Sequence, residues 1–151
     1  MNDDLRELYQ DVIIEHSKRP RNFRPLDDAA RKADGYNPLC GDTVTVYLTV
    51  DENDAVKDAA FQGHGCAIST ASASVMTETL KGKTRAEVEQ LFRTFHALVT
   101  GKSPDADPER LGKLAVFAGV SEFPVRVKCA TLCWHTARAA LEGREEPVST
   151  E

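Results

Sequence analysis

The sequence has no apolar run approaching the ~20 residues that a membrane-spanning helix needs, which argues against a membrane-embedded protein. It also lacks an excess of positive charge. Nineteen Lys and Arg stand against 24 Asp and Glu, a net charge of −5, so the broad basic surface of a nucleic-acid binder is missing. The opening MNDDLRELYQ has neither the basic head nor the apolar stretch of a secretory signal. The expectation is a cytoplasmic protein with no nucleic-acid and no membrane partner. In that compartment its four cysteines, Cys40, Cys66, Cys129 and Cys133, are not expected to pair as structural disulfides. Internal repeats and βαβ alternation are missing too, which sets aside solenoids and parallel α/β sheets.

What remains is an ordinary globular composition, 41% hydrophobic and 28% charged over 151 residues, enough for one core. Residues 1–143 read as one domain and 144–151 as a disordered tail. Leu5, Leu8, Tyr9, Val12 and Ile13 recur at helical spacing, so a helix is expected over 3–16. KRPRNFRPL (18–26) ends it with two prolines and reads as a solvated basic loop. TVTVYLTV (43–50) alternates as a half-buried strand does, DEND turns the chain, and VKDAAFQG (56–63) returns it. A third strand is expected over 31–35. Helical patterning then takes over. One helix ends near Gly82, and the next opens on a Thr84/Glu87 capping box with Val88, Leu91, Phe92, Phe95 and Val99 as its stripe. A short helix starts near Asp107 and Pro108 and carries Leu111, Leu114, Ala115 and Ala118. A loop over 119–128 then leads to a last helix over about 128–142. The order predicts an α+β fold: a small antiparallel sheet of three strands with helices packed on one face.

Candidate chemistry gathers at the cysteines. Cys40 and Asp42, two apart, share the inward parity of Val44 and Val46. A carboxylate on that face needs a partner, and a cation would serve. GHGCAIST places Cys66 at a helix N-terminus, where free amides and the helix dipole favour a thiolate. Cys129 is expected at the start of the last helix, where the same reasoning applies. Cys133 differs. At 100° per residue, Ala130, Trp134, Ala137 and Leu141 form an apolar stripe. Cys133 falls about 60° from Ala130 and Cys129 about 100° away, so Cys133 reads as packing and Cys129 as edge-facing. Three thiols and a carboxylate suit tetrahedral zinc or iron. The residues alone leave two sets open, Cys40, Cys66 and Cys129 with either Asp42 or Cys133. His64 and His135 read as bystanders.

NPLCGD, GHGCAISTASAS and FPVRVKCATLCW resemble the three cysteine segments of the IscU/NifU-like iron–sulfur assembly family, and LYQDVIIEHSKRPRNF resembles its N-terminal segment. Two details resemble the SufU branch. Lys128 stands where IscU scaffolds typically carry histidine, and GKSPDADPERLGKLAVFAGVSEFP looks like that branch's extra segment. The resemblance implies an IscU/SufU-like α+β fold binding Zn2+ through Cys40, Asp42, Cys66 and Cys129. It implies a sulfurtransferase-like role, with Cys40 accepting persulfide sulfur from a SufS-type pyridoxal-phosphate cysteine desulfurase and the sulfur passing on towards SufBCD. Arg126 would contact that partner. The alternative is an IscU-type scaffold holding iron or a [2Fe–2S] cluster on the same ligands.

Overall fold

A computed structural model of the chain describes residues 3–26, 31–38, 41–102, 112–143 and 147–149. Helix α1 (Asp3–Lys18) lays Tyr9, Val12 and Ile13 against the core, as its spacing predicts. It also buries His16, whose Nδ1 lies 2.7 Å from Ser74 Oγ. That contact ties α1 to α2 (Ala67–Leu80).

Between these helices run β1 (Arg31–Asn37), β2 (Asp42–Val50) and β3 (Val56–His64). β1 and β2 pair antiparallel from Arg31↔Leu48 to Asn37↔Asp42. β2 and β3 pair from Thr43↔His64 to Val50↔Val56, with a bulge at Thr49/Val50. Alternation along β2 buries Asp42, Val44, Val46 and Leu48 on one face, and β1 adds Ala33, Gly35 and Asn37.

The expected three-strand sheet is corrected to four. The order is β3-β2-β1-β4, and the last pairing is parallel: β4 (Val148–Ser149) lies beside Gly35 and Tyr36. β4 falls within the stretch read as a tail. Two residues carry no periodicity to read, and Val148 is held by packing against the core.

α2 is buried on nearly every side, from Ala71 through Thr77, and its small residues let its neighbours approach closely. Ser72 Oγ donates to Ala130 O at 2.6 Å. α3 (Arg85–Val99) has the expected Thr84/Glu87 capping box and buries Val88, Phe92, Phe95, Leu98 and Val99. Phe95 stacks on Trp134 with centroids 4.9 Å apart.

The segment Gly112–Glu122 is a 3₁₀ helix. Leu114, Phe117 and Val120 recur every three residues and are all buried, which suits the eclipsed i, i+3 stacking of that geometry. The expected helix start at Asp107 and Pro108, and Leu111, lie outside the described residues. Helix α4 (Pro124–Glu142) begins four residues earlier than expected. Pro124 occupies the first helical position, where its fixed φ suits the turn and its missing N–H costs nothing. α4 lies close on β1: a Cβ at Gly35 would collide with Thr136 Oγ1. Among the described residues no helix is long and apolar enough to cross a membrane.

Candidate metal centre

Asp42 is the first residue of β2, directly after the β1–β2 hairpin, and its inward parity leaves it only 1% exposed. Facing it is the N-terminus of α2. Cys66 is the N-cap residue there, with extended backbone, and its Sγ accepts from the Ser69 N–H at 3.4 Å. Its own N–H donates to Asp42 Oδ1 at 3.1 Å. Gly65 makes this approach possible, since a Cβ at that position would come within 3.0 Å of Asp42 Oδ1.

The third participant comes from α4. Cys129 is buried, and Asn37 Nδ2 donates to its Sγ at 3.8 Å. One ligand atom each from Asp42, Cys66 and Cys129 lie within 4.8 Å of one another. Asp42 Oδ2 is buried and has no hydrogen-bond partner among the described residues. An oxygen left in that state costs about 1–3 kcal/mol. A cation held between this oxygen and the two sulfurs would remove that cost. Two thiols and a carboxylate form a donor set suited to zinc or iron.

The structure thus brings together Asp42, Cys66 and Cys129, whereas Cys40 lies outside the described residues. One expectation about Cys129 is corrected. Because α4 starts at Pro124, Cys129 sits in the second helical turn, away from the free amides of the helix end. Its buried position and the Asn37 amide define its surroundings instead.

Cys133 stays outside the group. It is buried against Ser72 Oγ, at 3.4 Å, and its Sγ–H points to Ala130 O at 3.8 Å. Burial pushes its thiol up to about 12. His64 ends β3 opposite Thr43 and is exposed, apart from the trio. His135 packs against Phe92 and His96, and burial, then His96 and Arg138, holds its pKa below the usual imidazole value.

Beside the trio opens a cleft of about 830 Å³. α1 contributes Tyr9, Ile13 and Ile14 to its lining, the 3₁₀ segment and the start of α4 contribute Val120, Phe123 and Val125, and Cys66 and Cys129 line it as well. Ile14, Phe123 and Val125 are about half exposed, an apolar rim of the kind that marks interaction sites. Arg126 is on this rim, with its guanidinium 5.1 Å from the Phe123 ring centroid.

Sequence reasoning missed Asn37 and the part α1 plays in the cleft. The signal for Asn37 was present: it shares the parity of Ala33 and Gly35, but the expected strand ended at residue 35. For α1 no local signal exists, because only the tertiary fold brings Ile13 and Ile14 beside Cys66.

The NifU-like N-terminal domain matches residues 8–130 of this chain. The zinc-dependent sulfurtransferase SufU of Bacillus subtilis is 44% identical over 144 residues, 95% of this chain and 96% of that protein. The iron–sulfur cluster assembly scaffold protein IscU of Streptococcus pyogenes is 41% identical over 138 residues, 91% and 85% of the two chains. Among solved structures, a protein described as an iron–sulfur cluster assembly scaffold for the SUF system, from Fervidobacterium islandicum AW-1, superposes with a TM-score of 0.81. It is 36% identical, and the match covers 89% of this chain and 97% of that one.

Proposed function

This chain belongs to the NifU-like N-terminal domain family, and from that premise we propose that it is a zinc-dependent sulfur-transfer protein of iron–sulfur cluster assembly. The observation that carries the reading is the convergence of Asp42, Cys66 and Cys129, with a buried carboxylate oxygen left for a cation. Cys40 is joined to Asp42 through Gly41 alone and is the fourth ligand in this reading. Zinc, when bound, keeps the thiols deprotonated and shields them from oxidation.

Cys40 is the acceptor. Its thiolate attacks the outer sulfur of a persulfide on a SufS-type cysteine desulfurase. The new S–S bond forms on Cys40 as the partner's S–S bond breaks, and the partner's cysteine leaves as a thiolate. No external oxidant is consumed. Cys129, buried, and Asp42, tied to the Cys66 N–H, form the fixed side of the site, while Cys66 is exposed towards the cleft. The apolar rim and Arg126 receive the desulfurase, and the sulfur passes on towards SufBCD.

The scaffold alternative uses the same ligands for a [2Fe–2S] cluster, and the name of the Streptococcus pyogenes relative favours it. Lys128 next to Cys129 favours sulfur transfer. The test is cysteine turnover by a SufS-type desulfurase with and without this protein, with metal analysis of the same samples. Stimulation by the zinc form, lost in Cys40→Ala, supports the carrier. Stimulation that persists in Cys40→Ala, or protein isolated with iron and sulfide in place of zinc, contradicts it.

A further inference from the structure

Asn37 is a fully buried amide on the inward face of β1, where its neighbours Ala33 and Gly35 are small and apolar. A buried amide is costly unless hydrogen-bonded, and of the bonds this residue makes, one runs to a sulfur of the metal centre and one to the hairpin residue next to Asp42. Its side-chain Nδ2 donates to Cys129 Sγ at 3.8 Å. Its main-chain carbonyl accepts from the Gly41 N–H at 2.8 Å. Gly41 adopts φ +70°, a left-handed conformation that closes the hairpin between Asn37 and its register partner Asp42. One residue thus links the thiol on α4 to the hairpin whose sequence runs Cys40-Gly41-Asp42.

We propose that Asn37 is a positioning residue of the metal centre, its amide fixing and electronically tuning the Cys129 sulfur while its carbonyl holds the turn that leads into Asp42. The proposal rests on the metal-binding reading above. Leucine or alanine would fill an inward strand position at less cost, so an amide here is favoured by the hydrogen bonds it makes, and the one from Nδ2 reaches the Cys129 sulfur. An N–H aimed at sulfur draws electron density from it, which lowers its donor level towards a bound metal. It also fixes the χ angles of Cys129 before any metal arrives. Ligands set in advance bind more tightly than ligands that must be ordered on binding.

The test uses the full chain loaded with Co2+, whose thiolate-to-metal charge-transfer band reports directly on the sulfurs. Asn37→Leu, close in size but without a donor, is expected to bind Co2+ about 10–100-fold more weakly. Its charge-transfer band is expected to move to lower energy. Asn37→Gln retains the amide and is expected to bring both properties back towards wild type. A folded Asn37→Leu with an unmoved band overturns the proposal, even if its affinity falls, because hairpin shape alone then explains the loss. If circular dichroism finds Asn37→Leu unfolded, Asn37→Ala, smaller and without a side-chain donor, carries the same test: a shifted band supports the tuning and an unmoved band overturns it. Wild-type protein that takes up no Co2+ is a separate outcome, which overturns the metal reading itself.

Discussion

Oδ1 of Asp42 accepts the main-chain N–H of Cys66 at 3.1 Å, so the first residue of β2 and the N-cap of α2 hold one another while Oδ2 stays buried without a partner among the described residues. One carboxylate therefore does two things that substitution separates. In metal-free protein, Asp42→Ala loses one hydrogen bond and also removes a desolvated oxygen, terms of about 1–3 kcal/mol each and opposite in sign. Its metal-free Tm should therefore stay close to wild type. The rise in Tm on adding Zn2+, which scales with affinity, should shrink sharply. Thermal melts with Zn2+ and with chelator check both halves.

Cys133 should behave as core. Its burial beside Ser72 raises its thiol to about 12, so almost none is ionised at neutral pH. Native protein should therefore react with iodoacetamide at Cys66 and not at Cys133, and Cys133→Ser should keep near-normal zinc content. The linkage has a definite sign. A raised thiol pKa favours the neutral form in the fold. Stability is thus full below the unfolded value, near 8.5, and is lost as pH rises from there towards 12. Urea melts between pH 8 and 10.5 should fall less steeply for Cys133→Ala than for wild type.

His16 works in the other direction. Burial, with Arg21 and then Lys113 nearby, lowers its pKa below 6.5 and outweighs Glu78 and Glu15, which raise it. The 3.8 Å contact with Glu78 is therefore not a full ion pair at neutral pH. A lowered histidine pKa means that the unfolded chain takes up the proton first. The stabilisation is present above 6.5 and is lost as pH falls through the folded value. Melts from pH 8 to pH 5 should show this loss, and His16→Asn should show a flatter profile.

Gly35 is where α4 presses on β1. Gly35→Ala should cost about 1–3 kcal/mol, the usual range for overpacking, because its Cβ meets Thr136 Oγ1. Thr136→Ala removes the obstructing atom, so the double variant should recover part of the loss. A double-mutant cycle by chemical denaturation measures that coupling.

How far the sequence could be read depended on whether a residue's role was written in its own neighbourhood. The alternation of TVTVYLTV fixed the parity of Asp42, and Asp42 is buried as that parity requires. The different directions of Cys129, towards Asp42 and Cys66, and of Cys133, towards Ser72, accord with 100° steps around one helix. Both thiols are buried, however, and the edge-facing position expected for Cys129 is not seen. The start of α4 was hidden because Pro124 reads as a helix breaker, although a proline at the first helical position is no obstacle. Strand β4 was hidden because a two-residue parallel pairing leaves no pattern. Asn37 lay two residues beyond the expected end of its strand. The cleft wall formed by Ile13 and Ile14 depends on α1 meeting α2 across more than fifty residues of sequence, through contacts such as His16 with Ser74.

The most direct measurement is to locate the transferred sulfur. The zinc-loaded chain is incubated with a SufS-type desulfurase and cysteine, persulfides are trapped by alkylation, and peptides are mapped by mass spectrometry. The expected result is one additional sulfur on the Cys40 peptide, with none there in Cys40→Ala. Sulfur found on Cys66 or Cys129 while Cys40 stays bare, or no transfer to any cysteine of the wild type, contradicts the assignment of Cys40 as acceptor.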